Sequence, residues 1–390
     1  MKNTNSRFWI LVSIVAISGF SQGLLLPLIA VIFENSGVSS FLNGLNATAL
    51  YIGILLASPF MEAPLRRFGY KPIIIAGGLL VFVALALFPL WKTFWFWFFL
   101  RLLIGIGDHA LHFGTQTWIT DFSPENKRGR NISLYGLFFG VGFAVGPLMT
   151  PLIQINEALP FILSSVLCLI GWLFLFALKN EHPEQQDIEM SSFFDTLKRF
   201  SQAWKYGWVA FLPPLAYGFL ESSLNGSFPV YALRIGIDVS SVSVLLASFA
   251  IGGIVFQLPL GILSDKFGRK RILSFILLLG FLSFTSASFL EESFFGLVLC
   301  LFIAGMFVGS TFSLGISYMA DLMPKHLLPT GNLMCGIFFS LGSLVGPSVG
   351  GLFIQFFKNI SFFVIISSLF FMMFLVMITN GKKAYSQVEH

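Results

Sequence analysis

The chain has 390 residues, of which 56% are apolar and only 11% charged. Soluble domains average roughly 25% charged residues, so this composition excludes an ordinary water-soluble fold. The net charge of +5 does not point to nucleic acid, because the Lys and Arg residues cluster in short stretches between apolar runs. Cys168, Cys300 and Cys335 lie inside apolar runs without metal-ligand spacing and read as small core residues. No G-x-x-x-x-G-K-[ST] loop, nucleophile–base pairing or metal spacing stands out, so ATP-driven pumping, enzymatic activity and a cofactor are not expected.

Crossing a bilayer takes about 20 apolar residues, and twelve runs are long enough. They lie near 8–33, 42–64, 72–91, 94–121, 131–153, 159–179, 208–234, 241–263, 271–290, 293–321, 331–356 and 360–380. The first follows Met1-Lys2 with no small-residue cleavage site, so it reads as a retained helix and not a signal peptide. The one long polar stretch, from Asn180 to about Ser201, divides the runs into six and six. The expected organisation is residues 1–179 as a first six-helix bundle, 180–207 as a linker and 208–390 as a second bundle with a short tail.

Lys and Arg set the orientation. With the N-terminus inside, only Lys92, Arg234 and Lys358 of the 23 basic residues fall outside, and Arg101 falls within a span. The positive-inside rule then places both termini in the cytoplasm and the protein in the cell membrane, surrounded by lipid. In the linker, Phe193, Leu197, Phe200 and Trp204 repeat at helical spacing beside Lys198, Arg199 and Lys205. Ser192 and Asp195 suit a capping box, and the stretch reads as an amphipathic helix on the inner membrane surface.

The two halves repeat at an offset close to 200 residues. Gly105 matches Gly305, and Asp121-x-x-Pro124 matches Asp321-x-x-Pro324. Gly136-x-Phe138-Phe139 matches Gly336-x-Phe338-Phe339. The motif Gly142-x-x-x-Gly146-Pro147 matches Gly342-x-x-x-Gly346-Pro347. Repeated halves are a common transporter plan, with the substrate path near the midplane between them. Small residues four apart let helices touch, and the prolines kink the spans.

The most charged turn in the chain is Gly261-Ile-Leu-Ser-Asp265-Lys-Phe-Gly268-Arg269-Lys270-Arg271. Gly261 suits close helix approach, Gly268 a chain reversal, and Asp265 pairing with Arg269 or with the positive end of a helix. This turn resembles the loop motif G-x-x-x-D-[RK]-x-G-R-[RK] of the major facilitator superfamily of transporters. The resemblance covers about residues 8–380 and implies an all-α integral membrane fold, with 12 transmembrane helices in two pseudo-symmetric six-helix bundles. It also implies that spans 1, 4, 7 and 10 line the cavity. Gly261, Asp265, Gly268 and Arg269 would form a cytoplasmic gate, with Asp265 as a latch near the start of span 5. The degenerate twin after span 2 holds Glu62 and Arg66 at the family's Gly and Asp positions, spaced to pair with each other. Asp121 is a further gate candidate, facing Arg128 or Arg130. The G-x-x-x-G-P motifs resemble the family's antiporter pattern, which Gly350-Gly351 completes in span 11. Span 5 departs from it with Thr150-Pro151.

Ionisable groups deep in a span are costly and usually functional. In span 4, Arg101, Gly105, Asp108, His112 and Thr115 share a helix face. Arg101-x-x-x-Gly105 resembles the family's helix-4 motif, which is linked to proton coupling. Asp108 and His112 are spaced to share a proton, or Asp108 neutralises Arg101 or His112 in a structural network. Span 7 carries Glu221 with Tyr217 and Asn225 one turn to either side, and Gln22 aligns with Glu221 in span 1. The proton-coupling candidates are therefore Asp108, Glu221, Arg101 and His112; the substrate-cavity candidates are Gln22, Asn225 and Tyr217. Glu221 could instead recognise a cationic substrate.

The expected function is secondary active transport of a small solute by a monomer, as proton-coupled efflux of an amphipathic or drug-like compound. A proton-coupled importer of a sugar or metabolite, a lipid flippase and a non-transporting scaffold are the alternatives.

Overall fold

The computed structural model describes residues 2–182, 193–324 and 327–385. Every regular element among them is helical. The order is α1 (Lys2–Asn35), α2 (Ser40–Ala57), α3 (Glu62–Phe68), α4 (Tyr70–Leu87), α5 (Phe94–Phe122), α6 (Glu125–Val145), α7 (Leu159–Phe174) and α8 (Phe193–Gly207). There follow α9 (Leu212–Gly226), α10 (Phe228–Arg234), α11 (Val239–Phe267), α12 (Arg269–Phe289), α13 (Phe294–Val308), α14 (Thr311–Leu322), α15 (Leu328–Phe356) and α16 (Phe363–Tyr385).

Among the described residues 11 helical stretches are long and apolar enough to cross a membrane. The twelfth expected span, near 208–234, is not one helix. Pro213 and Pro214 open α9, which stops at Gly226, and Phe228-Pro229 starts the separate α10. Proline fits the first turn of a helix because its missing N–H would be unpaired there anyway. The end of span 5 also differs from a continuous α-helix. α6 tightens into a 3-10 stretch over Gly146–Gln154, where Pro147 and Pro151 each remove a backbone donor. Its repeat partner α15 has Pro347 as its one internal proline, after Pro329 in the first turn, and stays α-helical through it. Span 10 breaks between α13 and α14 at Gly309 and Ser310.

The chain forms two compact units, one of residues 1–185 with 232–247, the other of 186–231 with 248–390. In the first, α1 packs on α6, and α2 and α4 pack on α5. A side chain at Gly142 would overlap the Ala16 carbonyl, and one at Gly105 the Leu50 carbonyl. In the second, α9 packs on α15. There a side chain at Gly342 would overlap the Leu215 carbonyl, and one at Gly305 the Phe249 carbonyl. Leu215 and Phe249 stand 199 positions after Ala16 and Leu50, so the repeat holds at the level of individual contacts. Lipid supplies no hydrophobic drive between helices, so close approach and dispersion must hold them together.

Two devices fasten chain ends within the first unit. Arg7 pairs with Glu181, which also accepts from Trp118 Nε1 at 2.8 Å, while the Glu181 carbonyl accepts the Tyr70 N–H at 2.9 Å. The start of the polar stretch is thereby strapped across α1, α4 and α5. At the other end of α1, Glu34 accepts both Nε and Nη2 of Arg234, at 2.7 and 3.1 Å. In the second unit, α8 stacks Trp204 on Phe211 and Phe338, with Lys198, Arg199 and Lys205 exposed. Ser192 and the Asp195 side chain lie outside the described residues.

Candidate functional site

The acid of span 4 sits in a hydrogen-bonded chain. Asp108 is 1% exposed on α5. Ser18 of α1 donates its hydroxyl proton to Asp108 Oδ1 at 2.8 Å, and the same hydroxyl oxygen lies 3.2 Å from His112 Nε2. His112 Nδ1 is 2.5 Å from the Tyr135 hydroxyl of α6, and the Gln22 amide nitrogen is 3.4 Å from His112 Nε2. The Ser18 proton is committed to the carboxylate, so His112 Nε2–H meets Ser18 as a donor and Tyr135 donates to Nδ1. Asp108 and His112 thus do not touch; Ser18 stands between them. Asp108 Oδ2 is buried and unpartnered, which leaves the carboxylate one free proton-accepting position.

Helix spacing explains the convergence. Gly19 and Gly142 bring α1 against α6 so closely that a side chain at either would meet the other helix's backbone. That contact carries Ser18 and Gln22 to His112 and Tyr135. Ser18 and Tyr135 were not legible as site residues. Ser18 stands one turn before Gln22, which was the available signal; Tyr135 gave none.

Arg101 is held by backbone carbonyls. It is 1% exposed and donates Nη2 to the Leu25 carbonyl at 3.1 Å, with the Leu26 carbonyl at 3.5 Å. Of the alternatives, neutralisation of Arg101 by Asp108 in a structural network is not what the side chains do: Asp108 is turned to Ser18. Arg101 instead ties α5 to α1. His109, on another face, sits 3.1 Å from the Ser58 hydroxyl.

The second-unit candidates are simpler. Glu221 is half-buried on α9, and among the described residues its carboxylate makes no hydrogen bond or ion pair. Asn225 donates its amide to the Glu221 backbone carbonyl at 2.8 Å, so that donor is spent on its own helix. Tyr217 packs against Phe312 and Phe339, at 6.5 and 6.2 Å between ring centres. Ser227, just past Asn225, donates to the Pro347 carbonyl at 3.0 Å.

The loop motif is organised by Arg269. Nη1 donates to the Ser317 carbonyl at 2.6 Å and to Asp321 at 2.9 Å, and Nη2 to Asp265 at 3.2 Å. Gly268 has φ +93°, as the reversal requires, and Gly69 holds φ +86° at the matching turn. Gly261 faces open space; nothing lies within 4 Å of a side chain placed there. In the first half, Asp121 accepts from the Tyr70 hydroxyl at 3.1 Å. The side chains of Glu62 and Arg128 lie outside the described residues, so their suggested pairings with Arg66 and Asp121 do too.

The model of the Major Facilitator Superfamily matches residues 11–234 and again 210–387. An uncharacterized MFS-type transporter of Bacillus subtilis (strain 168), YfkF, is 55% identical over 98% of this chain and 97% of its own length. An uncharacterized MFS-type transporter of Shigella flexneri, YcaD, is 23% identical over 95% of this chain and 97% of its own. Among solved structures, the nucleoside transporter NupG superposes with a TM-score of 0.78 at 14% identity, covering 95% of this chain and 99% of that one. A bacterial homolog of the human lysosomal transporter Spinster gives 0.72 at 15% identity, over 96% and 97%. At these identities the structural likeness carries the fold alone.

Proposed function

The chain belongs to the major facilitator superfamily, and within that family of membrane transporters we propose that it moves a small solute by proton-coupled alternating access. The observation that carries the proposal is the Asp108–Ser18–His112–Tyr135 chain, with its buried and unpartnered Oδ2. A structural network would spend both carboxylate oxygens, because an unpaired buried acceptor is costly. A proton carrier keeps one position free. Ser18 is both donor and acceptor, so it suits proton exchange between Asp108 and His112. Glu221, half-buried and without a partner among the described residues, is the second carrier or the contact for a cationic substrate.

Efflux of an amphipathic or drug-like compound from the cell remains the favoured direction, on the paired G-x-x-x-G-P motifs. Import of a polar metabolite is the second reading; a nucleoside transporter shares the fold, and within the first unit the Gln22 amide beside His112 would be available to a polar ligand. Asp265, Arg269 and Asp321 are proposed to set the inner gate of a cell-membrane protein acting as a monomer.

The test is transport by cells expressing the protein, offered a pooled set of lipophilic cations, nucleosides and sugars, with mass spectrometry of what accumulates or is depleted. A compound whose movement follows an imposed pH gradient in the parent, but not in Asp108→Asn, supports the proposal, and the sign of its movement gives the direction. Gradient-driven movement equal in both removes Asp108 from coupling.

A further inference from the structure

A second polar feature lies where α2 and α5 cross in the first unit. A side chain at Gly53 would overlap the Leu102 carbonyl there, and one at Gly105 the Leu50 carbonyl. That close approach brings Ser58, just past the end of α2, to His109 of α5, with 3.1 Å between its hydroxyl oxygen and Nε2. The Ser58 proton is spent on the Ile54 carbonyl at 2.9 Å, so His109 meets Ser58 as an Nε2–H donor. Its Nδ1 is then an acceptor, and it makes no hydrogen bond among the described residues. The helix itself gives way at this point. Pro59 has no N–H to offer the Leu55 carbonyl, and Ser58–Phe60 tighten into a 3-10 turn. In the second half α11 stays helical through Pro259, and Gly309 stands where His109 does.

These groups lie at membrane depth. Ser58 stands eight residues before Arg66, or about 12 Å along a helix, and the hydrocarbon core is about 30 Å thick. His109 is one residue past the midpoint of α5. Yet Ser58, Pro59 and Phe60 are exposed, and His109 is only half-buried. Gln116, two turns further along the same face of α5, is exposed as well. Among the described residues its side-chain amide makes no hydrogen bond; only its backbone carbonyl is used, by Thr120. An imidazole and an amide open to hydrocarbon would be left without partners, which is costly. Ionisable groups at this depth face the bundle interior or water, so water reaches this face of the first unit.

We infer that His109 is a solute contact on this wetted face, accepting at Nδ1 a hydrogen bond from a transported compound that carries an N–H or O–H donor. The inference rests on the transporter reading above and names the chemistry of one end of its substrate. Ser58 fixes the tautomer. With its own proton committed to Ile54, it can only accept, which keeps the His109 proton on Nε2 and the lone pair on Nδ1. Phe113 packs against the ring at 6.3 Å between centres and steadies it. His112 has both ring nitrogens engaged, by Ser18 and Tyr135. Solute contact and proton exchange are therefore served by different side chains of one helix. A quaternary cation, which has no donor hydrogen, makes no bond to His109.

The test is thiol labelling of Gln116→Cys in lipid nanodiscs by a charged methanethiosulfonate, read by peptide mass spectrometry. The reagent attacks the thiolate, which forms in water and not in lipid. Leu163→Cys, at an exposed apolar position of α7, is the lipid control. Labelling of Gln116→Cys at least tenfold faster than Leu163→Cys is expected, and equal rates overturn the wetted face. Ethidium and adenosine carry N–H donors; tetraphenylphosphonium carries none. At least one of the first two should slow the labelling threefold or more, with tetraphenylphosphonium without effect. Protection by none of the three, or equal protection by tetraphenylphosphonium, overturns the donor contact. His109→Phe should weaken the protecting compound about fivefold, the worth of one hydrogen bond. His109→Gln, which can accept from solute while donating to Ser58, should restore it. Unchanged protection in His109→Phe, or a loss that His109→Gln leaves in place, overturns His109 as the contact. Labelling needs no proton gradient, so a failure of proton coupling shows in the Asp108→Asn comparison and leaves these rates unaffected.

Discussion

In the first half of the chain Ser18, Asp108, His112 and Tyr135 form a hydrogen-bonded series; about 200 residues later the same places hold Tyr217, Val308, Phe312 and Cys335. There the contacts are between rings, Tyr217 and Phe312 with Phe339. The backbone beneath them is alike, since a side chain at Gly19 would strike the Phe139 carbonyl and one at Gly218 the Phe339 carbonyl. One scaffold therefore carries a polar relay in one copy and an apolar cluster in the other. The single deep acid of the second copy moves to Glu221, opposite Gln22 in the alignment. The scaffold is fixed by glycines that admit a neighbouring backbone, while the chemistry is set by side chains that the scaffold does not constrain.

The comparison breaks most readily at the glycines. Gly142→Leu and Gly342→Leu should each cost about 3 kcal/mol or more, because the added side chain meets backbone that has no room to yield. Thermal unfolding in detergent reads the loss; a tolerated substitution in one half would show that the halves are not packed alike. Asp108→Asn is expected to cut substrate-driven proton movement about 100-fold with the fold retained. The converse change, Val308→Asp, should destabilise by about 3 kcal/mol and add no coupling, because no serine–histidine pair stands beside it. His112→Phe, which copies the second half, should lower coupling about tenfold and cost about 1 kcal/mol for the unpaired Tyr135 hydroxyl.

Smaller effects separate the loops. Arg269 bridges Asp265, Asp321 and the Ser317 carbonyl, whereas Tyr70, at the matching position, donates its hydroxyl to Asp121. Arg269→Tyr should cost about 1 kcal/mol, and Tyr70→Phe less, measured by the same unfolding assay. The smallest contrast is at the caps of α2 and α11. Ser39 caps α2 with a neutral hydroxyl, accepting from the Leu42 N–H at 3.3 Å. Asp238 accepts the N–H groups of Ser240 and Ser241 at 2.9 and 3.1 Å, and the hydrogen bonds from Ser241 hold its carboxyl below the usual carboxylate range. A lowered folded pKa contributes stability above the unfolded value, about 3.9, and that contribution is lost as pH falls through the lowered value. Hydrogen exchange at the start of α11 should therefore quicken at low pH, that of α2 should not, and Asp238→Ser should abolish the difference.

Most of the architecture was legible because hydropathy and the repeat are long-range signals. The spans and the G-x-x-x-G contacts follow from residues that lipid or a neighbouring backbone tolerates. The split of α9 from α10 was less legible, because Gly226-Ser227 breaks a run that hydropathy alone reads as continuous. At the site, helix spacing gave the shared face of Arg101, Asp108 and His112 but not their partners. Arg101 reaches the Leu25 and Leu26 carbonyls, and Ser18 intervenes between Asp108 and His112. Both depend on the rotation of α1 against α5, which no periodicity within one helix encodes. Glu181 was equally hidden, because its partners Arg7 and Trp118 are distant in sequence.

The central claim is that Asp108 exchanges a proton as solute moves. It is tested most directly by internal pH in proteoliposomes carrying a trapped pH dye, when a solute identified by the pooled screen is added to the parent, Asp108→Asn and Glu221→Gln. Proton movement that accompanies solute in the parent and disappears in Asp108→Asn, with solute still bound, is the predicted result. Solute movement without protons in all three proteins would contradict it, leaving Asp108 a structural acid and the protein a facilitator of diffusion.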